Sequence, residues 1–105
     1  MAKNYSGSDL GQEFKEFFRK EKNRLKKIFT EKGCRNFEMG YGFYYFSGFF
    51  TSPSGQIYYF SCSDVRDFGY DKLLIRTAKS YSDYTGGSNN YCNINKADLL
   101  NFRLQ

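Results

Sequence analysis

The sequence predicts an α+β fold: a long N-terminal helix packed on an antiparallel sheet of three to four strands, with a short C-terminal helix. Three observations predict it. Apolar residues recur at helical spacing from Leu10 to Phe29. From Tyr41 to Lys79 the chain turns to aromatic and β-branched runs divided by turn residues. Near the end, Asn95 stands as an N-cap before a short helix-forming run. A length of 105 residues leaves room for one compact unit spanning the chain, with residues 1–8 as a loose lead. Twelve Phe and ten Tyr are too many aromatics for a disordered chain.

The helix is expected to open at Asp9-x-x-Gln12, an N-cap with a capping box, and to stop at Gly33. Leu10, Phe14, Phe17, Phe18, Leu25, Ile28 and Phe29 fall inside an arc of about 120° at 100° per residue. This stripe is the expected core face, and Phe18→Ala is expected to cost about 3 to 5 kcal/mol. Beside it, Lys15, Arg19, Lys22 and Lys26 follow one another at steps of four, three and four, a basic ridge about 16 Å long. The opposite edge mixes signs, with Glu16 set to pair Lys20 and Lys27 to pair Glu31. The net charge of +5 belongs to this segment: residues 15–35 carry nine Lys/Arg against three Glu. Such a ridge either solubilises an aromatic-rich domain or meets phosphates or an acidic partner.

After Gly33, residues 37–40 read as a short lead-in and Tyr41 to Thr51 as the first long strand. Ser52-Pro53-Ser54-Gly55 suits a type I turn, and Gln56 to Ser63 returns antiparallel. Residues 64–71 read as a polar loop, Lys72 to Lys79 as a third strand and residues 83–90 as turn chemistry. Tyr91 to Ile94 adds a short strand, and Asn95 caps a helix from Lys96 to Leu104. The order is α-β-β-β-(β)-α.

Both faces of the hairpin carry rings, and one helix of about 24 residues cannot cover both. The C-terminal helix is expected to lie over part of the second face. An exposed aromatic sheet face takes stacked bases, a protein partner or a second copy of the chain, which would make a homodimer. Tyr41, Tyr44, Tyr45, Tyr58 and Tyr59 are the candidate partner anchors. Lys15, Arg19, Lys22 and Lys26 are the candidates for nucleic acid or an acidic partner.

The chain has no His, which removes Ser-His, Cys-His and His-metal chemistry. Cys34, Cys62 and Cys92 show no metal-ligand spacing and read as reduced, buried small residues. The carboxylates Glu38, Asp64, Asp67, Asp71 and Asp83 are scattered, and Gly86-Gly87 lacks the strand-then-helix context of a phosphate loop. A non-enzymatic chain without cofactor or metal is therefore expected. No stretch approaches a membrane span and residues 1–7 hold no apolar signal core, so a cytoplasmic setting without membrane partners is expected.

Helix, three strands and helix is also the order of double-stranded-RNA-binding domains, whose last helix opens on a lysine cluster. Asn95-Lys96-Ala97-Asp98 supplies one lysine and one aspartate, so membership does not follow. Leu74-Ile75-Arg76-Thr77-Ala78-Lys79 with Asp83-Tyr84-Thr85-Gly86-Gly87-Ser88-Asn89 resembles a segment of small uncharacterised proteins of bacteriophages and mobile elements. The resemblance lies within residues 74–89, about 15% of the chain. It implies a bacterial host cell and stoichiometric binding, including inhibition of a host nucleic-acid-directed defence as by anti-CRISPR proteins. Direct RNA or DNA binding is the alternative.

Overall fold

The apolar stripe lies on α1 (Gln12–Glu31) of the computed structural model, which describes residues 12–42, 44–63, 65 and 72–105. Phe14, Leu25, Ile28 and Phe29 are buried, while Phe17 and Phe18 pack half-buried at the margins of the stripe. The helix stops as its sequence requires. Gly33 takes φ +86°, its N–H bonds the Thr30 carbonyl at 2.9 Å, and the Cys34 N–H bonds the Phe29 carbonyl at 2.9 Å. These are the two bonds of a Schellman end, with buried Cys34 over buried Phe29. The expected cap at Asp9, and Leu10, lie outside the described residues.

Five antiparallel strands follow, in the spatial order of the sequence: β1 (Arg35–Tyr41), β2 (Phe46–Thr51), β3 (Ile57–Cys62), β4 (Lys72–Thr77) and β5 (Asn90–Asn93). The chain closes with α2 (Lys96–Asn101), whose N-cap Asn95 accepts the Asp98 N–H at 2.9 Å. The fold is α+β, with five strands where three to four were expected. The difference arises at residues 41–51, which do not form one strand. The expected lead-in is the body of β1, and the chain reverses at residues 42–45, where the Gly42 N–H bonds the Tyr45 carbonyl at 3.1 Å. Gly42 is needed there because the Tyr45 ring lies 2.3 Å from where a Cβ would stand. Tyr44 takes the left-handed conformation at φ +60°, which a continuous strand cannot contain.

The next reversal matches its sequence. The Gly55 N–H bonds the Ser52 carbonyl at 2.9 Å and the Ser52 N–H bonds the Gln56 carbonyl at 2.8 Å, with Gly55 at φ +99°. This is a type I turn followed by a left-handed glycine. On the outer strand β1 the pairing shifts register between Arg35 opposite Thr51 and Glu38 opposite Phe49, and Asn36 sits in the bulge at φ +58°. The 64–71 loop lies outside the described residues except for Val65, which is buried and whose N–H bonds the Tyr44 carbonyl at 2.9 Å.

Alternation along the strands sends Phe46, Phe50, Tyr58, Phe60, Leu73 and Ile75 toward α1. Phe29 stacks on Phe50 at 4.3 Å, and Phe37 on Phe60 at 5.4 Å. Gly48 is compelled by this packing: a Cβ there would lie 2.0 Å from the Glu38 carbonyl oxygen and 2.7 Å from the Phe60 ring. The helix α2 does not lie over the second face as expected. It packs beside α1, where Leu99 joins the core, Arg24 Nη2 bonds the Ile94 carbonyl at 3.0 Å, and Lys32 Nζ bonds the Leu100 and Phe102 carbonyls at 2.7 and 2.8 Å. It also ends at Asn101 instead of Leu104, because Phe102 turns to an extended backbone at ψ 130°.

Candidate partner-binding surface

The ridge on α1 is real in geometry, though not uniform in charge. Lys15, Arg19 and Lys26 are exposed and Lys22 is half-buried. Arg19 Nη2 bonds Glu16 Oε1 at 2.9 Å, and the guanidinium holds that carboxyl below its usual range, first by the hydrogen bond and then by charge. Glu16 therefore pairs into the ridge instead of pairing Lys20. Glu31 likewise reaches Lys96 Nζ at 3.6 Å instead of pairing Lys27. Among the described residues, Lys15, Lys22 and Lys26 of the ridge have no carboxylate partner.

Lys22 Nζ stands 6.0 Å from the centre of the Phe18 ring, and Phe18 packs on Tyr41 at 4.6 Å. Tyr41 also meets Phe14 edge-on at 5.6 Å, yet remains 43% exposed. The ridge is thus joined through Phe18 to an exposed tyrosine at the end of β1. Tyr45, also 43% exposed, lies in the adjoining 42–45 reversal. Lys22, Phe18 and the exposed Tyr41 are thus brought together at the end of the outer strand, with Tyr45 in the reversal that follows it.

The five candidate tyrosines are not brought together. Tyr44 is buried and meets Phe14 edge-on at 5.3 Å. Tyr58 is buried and stacked on Phe50 at 5.4 Å, with its hydroxyl accepting the Gln105 N–H at 2.7 Å. Tyr59 is half-buried on the sheet face away from α1, stacked on Tyr84 at 4.4 Å and beside Phe49 at 5.3 Å. Only Tyr41 and Tyr45 of the five are exposed.

The rings that cover the second face come from the 78–89 loop, of which the sequence presents residues 83–90 as turn chemistry and residues 78 and 79 as the end of a strand. Tyr81 packs on Phe49 at 5.4 Å and its hydroxyl meets Thr51 Oγ1 at 2.7 Å, while Tyr84 covers Tyr59. The available signal was two tyrosines three residues apart in a segment otherwise of small and polar residues. Asp83 shapes the same loop by accepting the Thr85 N–H at 3.1 Å and hydroxyl at 2.6 Å, bonds that hold its carboxyl below the usual range.

Burial pushes the Cys34 thiol up to about 11 and raises Cys92 as well, so both stay protonated near neutrality. No group of three or more metal-ligating side chains occurs among the described residues. No helix among them is long and apolar enough to cross a membrane. Comparison of the chain with family models, curated proteins and solved structures finds no match.

Proposed function

We propose that this chain is a non-enzymatic binding protein that acts by stoichiometric contact with an acidic face of a protein partner. The contact surface is Lys15, Lys22 and Lys26 with Tyr41 and Tyr45; Arg19 is present but tied to Glu16. The observation that carries the proposal is the exposure of Tyr41, which packs on Phe18, the ring that Lys22 approaches. A phenol kept only for packing would be buried, whereas an accessible tyrosine resting on Phe18 is preorganised to anchor a partner. The resemblance of residues 74–79 and 83–89 to phage proteins adds a setting: the cytoplasm of a bacterial host, with an inhibited nucleic-acid-handling complex as the partner.

The experiment is capture of the partner from bacterial lysate on immobilised protein, with and without nuclease, for the native chain, Tyr41→Ala and a Lys15→Glu/Lys22→Glu/Lys26→Glu variant. Capture is expected to survive nuclease and to fail for both variants, with melting temperatures close to that of the native chain. Loss of capture on nuclease treatment favours the second reading, direct RNA or DNA binding along the same ridge. In that case affinity for a duplex or single strand should fall with salt at a slope of about three.

A further inference from the structure

Where β4 ends and β5 begins, the chain encloses a cleft of about 510 Å³ on the side of the sheet away from the outer strand β1. One wall is the 86–88 turn, another the Phe102–Gln105 segment, and the floor is Tyr58 and Thr77. The turn can approach the floor only because it is glycine. A Cβ on Gly87 would lie 2.4 Å from the Thr77 carbonyl oxygen and 2.7 Å from its Oγ1, and Gly86 sits at φ +96°. Asn90 Nδ2 bonds the Ser88 carbonyl at 3.2 Å, and Arg76 Nη2 bonds the Gly87 carbonyl at 2.7 Å, so the turn is fixed from both sides.

Several of the groups that line this space can donate hydrogen bonds. Tyr58 is only 3% exposed, and its oxygen already accepts the Gln105 N–H. Its own O–H has no acceptor among the described residues. That proton is left to meet an acceptor in the cleft. Arg103 contributes a guanidinium that has no carboxylate partner among the described residues, and Ser88 adds a hydroxyl. Among the described residues no acidic side chain lines the cleft, and Asp83 of the same loop is occupied by Thr85. Lys79 approaches the other side of the turn, its Cε 3.3 Å from where a Cβ on Gly86 would stand.

We infer that this cleft is a binding site for an organic phosphate of nucleotide size. Arg103, the Tyr58 hydroxyl and Ser88 take the phosphate oxygens, and the half-buried Phe102 ring offers a flat apolar wall to the rest of the ligand. The volume lies within the range of small-molecule sites, about 300 to 1,000 Å³, and far exceeds what a lone phosphate would fill. The site does not use the ridge on α1 and stands or falls independently of it.

The test is calorimetric titration of the full chain with AMP, inorganic phosphate and adenosine, together with amide NMR shifts. AMP is expected to bind more tightly than phosphate, adenosine not measurably, with the shifts centred on Gly86, Gly87 and Ser88. Arg103→Gln, at an exposed position, should weaken AMP about tenfold or more, with the melting temperature as the check on the fold. Tyr58→Phe should weaken it by a smaller factor while the melting temperature reports any change in fold. No AMP binding at millimolar concentration overturns the proposal. So does adenosine binding as tightly as AMP, AMP binding unchanged in Arg103→Gln, or shifts that map to Lys15–Lys26.

Discussion

The two faces of the sheet are built from the same residue types and end in different states. On the face toward α1, Phe46, Phe50 and Phe60 are all 0% exposed, as is Phe29 of the helix that covers them. On the other, Phe49 and Tyr59 are half-buried beneath Tyr81 and Tyr84, and Tyr84 is 47% exposed. A helix presents a continuous apolar stripe and excludes water completely, whereas a loop covers with single rings. The covering rings of the loop are accordingly tyrosines, which can bury a flat surface and still present a hydroxyl, as Tyr81 does to Thr51.

Phe29→Ala should remove about 3 to 5 kcal/mol, because the ring is fully enclosed between Phe50, Phe37 and Phe60. Urea unfolding measures it, and a loss below 1 kcal/mol would break the comparison. Phe18 belongs to the margin, not the core. The expected 3 to 5 kcal/mol for Phe18→Ala is revised to about half, since the ring is half-buried and packs on an exposed Tyr41. Gly48→Ala adds only one methyl but drives it against the Glu38 carbonyl, so we expect a loss of about 1 to 3 kcal/mol. Tyr84→Ala on the loop-covered face should cost about 1 kcal/mol, read as a small shift in the urea midpoint with an unchanged slope.

A pH titration separates the faces by another route. Cys34, sealed against Phe29 at the helix end, ionises in the unfolded chain near 9 but in the native fold only at about 11. Between those values the unfolded state has lost a proton that the native state keeps, so stability must fall as pH rises through this window. Cys34→Ala should flatten that part of the profile. An unchanged alkaline slope in the variant would show that the thiol is not sealed.

How legible each part was depended on whether its signal was local. The stripe on α1, the stop at Gly33, the Ser52–Gly55 turn and the Asn95 cap are encoded within a few residues of where they act, and each stands where the sequence puts it. The break at residues 42–45 was hidden because Gly42-x-Tyr44-Tyr45 alternates no differently from a strand. Its signal is a left-handed tyrosine held by Phe14 and by the Val65 N–H, both distant in sequence. The covering of the second face was hidden for the same reason, since Tyr81 and Tyr84 look like loop residues until Phe49 and Tyr59 meet them. At the candidate surface the ridge was legible from spacing alone. Which tyrosines stand beside it was not, because exposure is decided by what packs above each ring.

The bulge at Asn36 bears on a different hazard. Tyr44 to Phe50 is an uncharged run rich in aromatic residues, the composition that stacks into cross-β assemblies when its edge is open. In the folded chain most of that run is β2, paired on one side by β3 and on the other by β1, so its main-chain groups are already taken. The border strand on that side is β1, which is irregular in register, twisted by a left-handed residue, and carries exposed Arg35 and Glu38. A neighbouring copy would find no regular ladder to extend and charges on either side of the irregularity. The chain thus keeps its most adhesive segment one strand in from the border, and the least regular strand of the sheet guards its solubility.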